Sequence, residues 1–105
     1  MARNLKPRPS LEQVFALLRQ ELPALRARYG VRALGVFGSY VRGEQSKRSD
    51  LDVLVEFGEC DISLLEFVGL EQELSDRLGL KVDLVEKEGL KPAIGKRILQ
   101  EVVPV

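Results

Sequence analysis

The chain has 105 residues, 45% of them hydrophobic and 30% charged. That is enough for one soluble domain with a modest core and too apolar for a chain disordered throughout. With no histidine and a single cysteine, Cys60, the chain cannot build a Ser-His-Asp triad, a Cys-His dyad, a histidine metal site or an internal disulfide.

Any metal must then be held by oxygen, which favours hard cations such as Mg²⁺. The net charge of zero is unevenly spread. Residues 1–50 carry ten Lys/Arg and four Asp/Glu, a net +6, and residues 51–105 carry six and twelve, a net −6. A simple basic nucleic-acid binder would be positive throughout. This division permits a phosphate-facing first half and a metal- or partner-facing second half. The basic start is not followed by a long apolar stretch, and the longest apolar run, residues 14–18, is far short of a membrane span. Neither a targeting segment nor membrane attachment is expected, and the scarcity of cysteine points to a cytoplasmic protein.

In chain order, residues 1–9 read as a flexible, basic, proline-containing arm, with a single domain over 10–105. Ser10 with Gln13 forms a capping box. Leu11, Val14, Phe15, Leu18, Leu22 and Leu25 then recur at helical spacing, with Gly30 as the stop. Pro23 is expected to break or kink this helix, or to start a second one. Residues 31–37 read as a buried strand, 43–49 as a polar turn and 51–57 as a second strand. Ser63 with Glu66 starts another helix, whose stripe of Leu64, Phe67, Leu70, Leu74 and Leu78 ends at Gly79. Residues 81–85 read as a third strand, and Pro92 opens a last helix over 93–100 with Ile94 and Ile98 on one face. The second and third strands are joined by a helix, so they are expected to pair in parallel. The fold class is α/β (α+β): a small mixed sheet of three or more strands, with helices mainly on one face. The apolar ending Val102-Val103-Pro104-Val105 is expected to pack on a partner or on another copy of the chain.

The chemistry concentrates in residues 38–55. Gly38-Ser39 ends a strand and opens a short helix, where Ser39 can cap the helix and leave backbone N–H groups to attract phosphate. The same dipeptide also suits a plain tight turn. Asp50 and Asp52, two apart at the mouth of a strand, point to one face. Adjacent carboxylates repel unless a cation or proton lies between them; a solvated strand end is the alternative. Asp83 interrupts the apolar run Val82-Asp83-Leu84-Val85. It either joins Asp50 and Asp52 around one point, an arrangement suited to two Mg²⁺ ions, or faces water beside Lys81. Arg42, three residues after Ser39, either reaches a phosphate or braces the loop through an acidic partner. Lys47 and Arg48 read as a solvated loop, Tyr40 as packing, Glu44 as surface, and Cys60 has no assigned role.

Gly38-Ser39, Arg42-Gly43, Ser49-Asp50 and Asp52, ending at Val55, resemble the signature of the DNA polymerase beta-type nucleotidyltransferase superfamily. The spacing is most similar to that of the minimal nucleotidyltransferases, the MNT antitoxins paired with HEPN toxins. The resemblance implies that Gly38, Ser39 and Arg42 bind a nucleoside triphosphate, ATP. It implies that Asp50, Asp52 and Asp83 bind two Mg²⁺ ions and serve catalysis. AMP would pass to a hydroxyl, here a tyrosine of a HEPN-type ribonuclease toxin, with pyrophosphate leaving. The stretch after Asp52 has no room for the acceptor-gripping domain of larger relatives, so acceptor recognition is expected from a partner, across the exposed parts of the last two helices. Two alternatives accompany this reading: the catalytic subunit of a small-molecule (aminoglycoside-type) nucleotidyltransferase, and a non-catalytic antitoxin acting by binding alone. Direct nucleic-acid binding is not expected, because aromatics make up only 6% of the chain and no basic track interleaves with them.

Overall fold

The computed structural model describes residues 8–46, 49–58 and 62–105. Its elements are α1 (Leu11–Tyr29), β1 (Val31–Phe37), α2 (Ser39–Arg42), β2 (Leu51–Phe57), α3 (Leu64–Leu78), β3 (Val82–Glu86), a 3₁₀ turn (Lys87–Gly89), α4 (Pro92–Glu101) and β4 (Val103–Pro104). Both capping boxes form: the Ser10 and Ser63 hydroxyls accept from the Gln13 and Glu66 amides, and those side chains accept in return from the cap amides. Gly30 and Gly79 close α1 and α3 in the left-handed conformation. Pro23 does not break α1. An interior proline costs about 3 kcal/mol. Burying Leu18 and Leu25, both fully shielded, returns roughly 1.5–3 kcal/mol each, so packing holds the helix together.

The strands form one mixed sheet in the order β3-β2-β1-β4. β1 and β2 are antiparallel, and β2 and β3 are parallel as the crossover helix requires. The ladder between β2 and β3 starts where the Leu51 amide donates to the Lys81 carbonyl at 2.9 Å. The resulting register sets Leu51 opposite Val82, Asp52 opposite Asp83 and Val53 opposite Leu84.

Side chains alternate along each strand, and the two faces of this sheet differ accordingly. Leu34, Val36, Leu51, Val53, Val55, Val82 and Leu84 join Val14, Leu18 and Leu25 of α1 and Leu70, Leu74 and Leu78 of α3 in one core. Asp52, Leu54 and Phe37 alternate onto the other face. There α4 and the chain end supply Leu99, Val102 and Pro104 over Ala33, Gly35 and Leu54.

Three expectations from the sequence meet the structure here, and the first is corrected. The apolar ending pairs with the chain's own β1: Val103 lies opposite Val36 and Pro104 opposite Gly35, and the Val105 amide donates to Leu34. Gly35 makes this close approach feasible, since a Cβ there would stand 2.5 Å from Val102 Cγ2. Leu64, read into the apolar stripe of its helix, and Ile94 are 79% and 55% exposed; both sit in the first turn of their helices. Asp83, read either as joining Asp50 and Asp52 or as facing water, is exposed, because β3 is an edge strand. The edge itself is blocked from α3: the Ser75 hydroxyl accepts from the Val82 amide at 3.0 Å and Glu71 from the Leu84 amide at 2.9 Å.

Candidate active site

The site lies where β1 ends and β2 and β3 begin, on the face opposite α1 and α3. β1 runs into Gly38, whose backbone (φ 82°, ψ −154°) is open only to glycine. A Cβ at this position would stand 2.0 Å from Asp52 Oδ2. Glycine is therefore required twice, once for the bend and once for the carboxylate pressed against it. The Gly38 carbonyl accepts from the amides of Val41 and Arg42 and so starts α2. Ser39 is the first residue inside that helix rather than its cap, which corrects the expectation of a serine cap; no side-chain cap is made there.

Asp52 is half-buried and Asp83, its Cα partner on the parallel neighbour, is exposed. Partners in such a register share a face. Burial, and then the Asp83 and Asp50 carboxylates, push the Asp52 carboxyl above the usual carboxylate range, while Arg42 pulls it down. Burial and the neighbouring carboxylates both disfavour the ionised form of Asp52. Among the described residues no three acidic side chains are gathered closely enough to make a ready metal cage. Like charges keep their distance, and Asp50 has a counter-charge elsewhere, with Lys81 Nζ at 3.8 Å. The donor set nevertheless fits a hard divalent cation: all donors are oxygen, their charge is in excess, and the bend opposite them carries no side chain.

Arg42 takes the bracing role. Its guanidinium donates to Glu44 and to Glu101, with its side chain still 48% exposed. Glu101, the last residue of α4, also accepts from the Gly38 amide at 3.2 Å. These two donors hold its carboxyl below the usual range. Sequence reasoning missed Glu101 because a lone acidic residue at the end of an amphipathic helix carries no motif. Arg8, assigned to the flexible arm, donates to the carbonyls of Ser46 (2.9 Å) and Ser49 and lies 5.9 Å from the Tyr40 ring centre. It thereby stitches the segment that delivers Asp50. Tyr40 is buried, as packing requires, and Glu44 is on the surface. Lys47, Arg48, Cys60 and residues 1–7 lie outside the described residues.

The site is thus a glycine bend at the end of β1 facing an acidic pair on the parallel strands β2 and β3. Residues 18–105 match the nucleotidyltransferase domain family, and the chain belongs to it. It is 52% identical over 96 residues to the protein adenylyltransferase MntA of Thermococcus cleftensis, covering 91% of this chain and 96% of that one. Its fold superposes on a structure described as a minimal nucleotidyltransferase with a TM-score of 0.78 and 38% identity, covering 95% of this chain and all of the other. It also superposes on a chain from a toxin–antitoxin complex with AMP-PNP (TM-score 0.66, 24% identity, 87% and 68% covered). A further match is to a complex of tri-AMPylated Shewanella oneidensis HEPN toxin with MNT antitoxin (TM-score 0.64, 18% identity, 87% and 70% covered). The chain is therefore an enzyme of the minimal nucleotidyltransferase type. None of its described helices is long and apolar enough to cross a membrane.

Proposed function

We propose that the chain is a Mg²⁺-dependent protein adenylyltransferase. It moves AMP from ATP to a hydroxyl of a partner protein, a HEPN-type toxin, and acts as that toxin's antitoxin. The observation that carries this reading is the Asp52–Asp83 pair in register beside a glycine bend with no room for a side chain. The activity named for the Thermococcus relative and the HEPN partner in the Shewanella complex supply the acceptor class.

Asp50, Asp52 and Asp83 would hold the cations. Bound Mg²⁺ supplies charge neutralisation of the triphosphate and of the leaving pyrophosphate. Gly38 and Ser39 would present backbone close to the phosphates, and Arg42, braced by Glu44 and Glu101, would hold the bend in shape and meet the phosphates with its partly exposed guanidinium. The acceptor oxygen forms a bond to the α-phosphorus, the bond to the pyrophosphate oxygen breaks, and the acceptor proton passes to an Asp83 carboxylate open to solvent. Positioning and electrostatics account for the rate, so histidine is dispensable. Exposed apolar side chains on α3 (Leu64, Leu65 and Val68) and on α4 (Ile94 and Leu99) offer surface for holding the partner protein.

The test is incubation with ATP labelled at the α-phosphate, Mg²⁺ and the protein that co-purifies with the chain. Covalent label on that protein is expected from the wild type and none from Asp52→Asn. Equal labelling by the two would refute the reading, and label on a small molecule instead would replace its acceptor.

A further inference from the structure

We propose that Glu101 is a positioning residue of the nucleotide site, holding the Gly38 amide and the Arg42 guanidinium in the arrangement that receives the triphosphate. The inference rests on the function proposed above and adds to it a residue from the far end of the chain.

Glu101 engages two groups at once. One carboxylate oxygen accepts from the Gly38 amide at 3.2 Å and the other from Arg42 Nη1. The first contact fixes the peptide of Gly38, where an added Cβ would stand 2.0 Å from Asp52 Oδ2. The second fixes the guanidinium of Arg42, the last residue of α2. The Glu101 side chain is only 24% exposed, so the pair is partly shielded from water and charge-assisted.

Its own position is set by the strand that follows. Val103 and Pro104 pair with Val36 and Gly35 of β1, and Val102 Cγ2 sits where a side chain on Gly35 would be. The end of α4 is thus hooked to the same strand that delivers Gly38. Without Glu101 the bend and Arg42 gain freedom, and ordering them becomes a cost of binding nucleotide.

The experiment measures the dissociation constant of ATP in the presence of Mg²⁺ by calorimetry for the full chain, Glu101→Gln and Glu101→Ala. Melting temperatures and AMP transfer are followed separately. Glu101→Ala is expected to weaken ATP binding about tenfold. Glu101→Gln should weaken it about threefold, because its amide oxygen still accepts from Gly38 while the charge opposite Arg42 is gone. Should the alanine variant fail to fold, the near-isosteric Glu101→Gln carries the test. Unchanged affinity with a lowered melting temperature would make the contact merely structural and overturn the proposal. Tighter binding would also overturn it, by making Glu101 a competitor for the phosphate's place. A wild type that binds ATP while Glu101→Gln binds equally well refutes this inference alone; a wild type that binds no ATP refutes the proposed function.

Discussion

The two faces of this small sheet are built from the same strands and serve opposite ends. On one face Val36, Val53 and Val55 are wholly shielded beneath α1 and α3. On the other, one residue out of phase, Asp52 is held half-buried against other acids and carries its carboxyl raised. The first face lowers the free energy of the fold. The second raises it, because a carboxylate there would ionise more readily in the unfolded chain. Stability and chemistry are separated by the period of two that governs any strand, so substitutions on the two faces should have opposite signatures.

The largest expected effect is that of Asp52→Asn. Transfer of AMP should fall about a thousandfold, while the melting temperature at pH 7 rises. The sign follows from linkage. An acid whose folded pKa lies above its unfolded value binds more protons when folded, so stability falls as pH rises through that window. The stability advantage of Asp52→Asn should therefore be present at neutral pH and vanish as the pH drops towards the ordinary aspartate range, which thermal melts across pH would follow. Loss of activity together with a lower melting point at pH 7 would show that Asp52 is structural.

Leu70→Ala, on the covered face, should do the reverse. It should cost about 2–5 kcal/mol in denaturant unfolding and leave the activity of the folded fraction unchanged well below the melting point. Leu70 is fully buried and far in kind from the chemistry, so a selective loss of kcat would break the division between faces. Gly38→Ala comes next. It forces a side chain onto Asp52 Oδ2 and into a left-handed bend, at about 1–3 kcal/mol of strain. ATP-dependent transfer should drop on the order of a hundredfold, and the lost stability should separate it from Asp52→Asn in a melting assay.

Much of this fold was legible in the sequence because local signals agreed with the global one. Ser10-Gln13, Ser63-Glu66, Gly30 and Gly79 mark helix ends by chemistry that acts within a few residues. The crossover helix dictated the parallel pairing of β2 and β3 that sets Asp52 beside Asp83. What was not legible depends on distant partners. Pro23 stays helical because of side chains packed on the sheet, and the chain end becomes a strand because Gly35 leaves it room. Arg8 and Glu101 reach the site across 41 and 63 residues of sequence. No spacing rule links such positions. Asp83 was legible as an anomaly in an apolar strand, but its exposure follows from the edge position of β3, which only the strand order reveals.

The most direct test of the site concerns Asp83, the acid supplied by the second strand. Thermal melts with Mg²⁺ and a non-hydrolysable ATP analogue should raise the melting temperature of the wild type by mass action. They should leave Asp83→Asn and Asp52→Asn unshifted. An Asp83→Asn variant stabilised as much as the wild type would show that the paired carboxylates do not form one metal–nucleotide site.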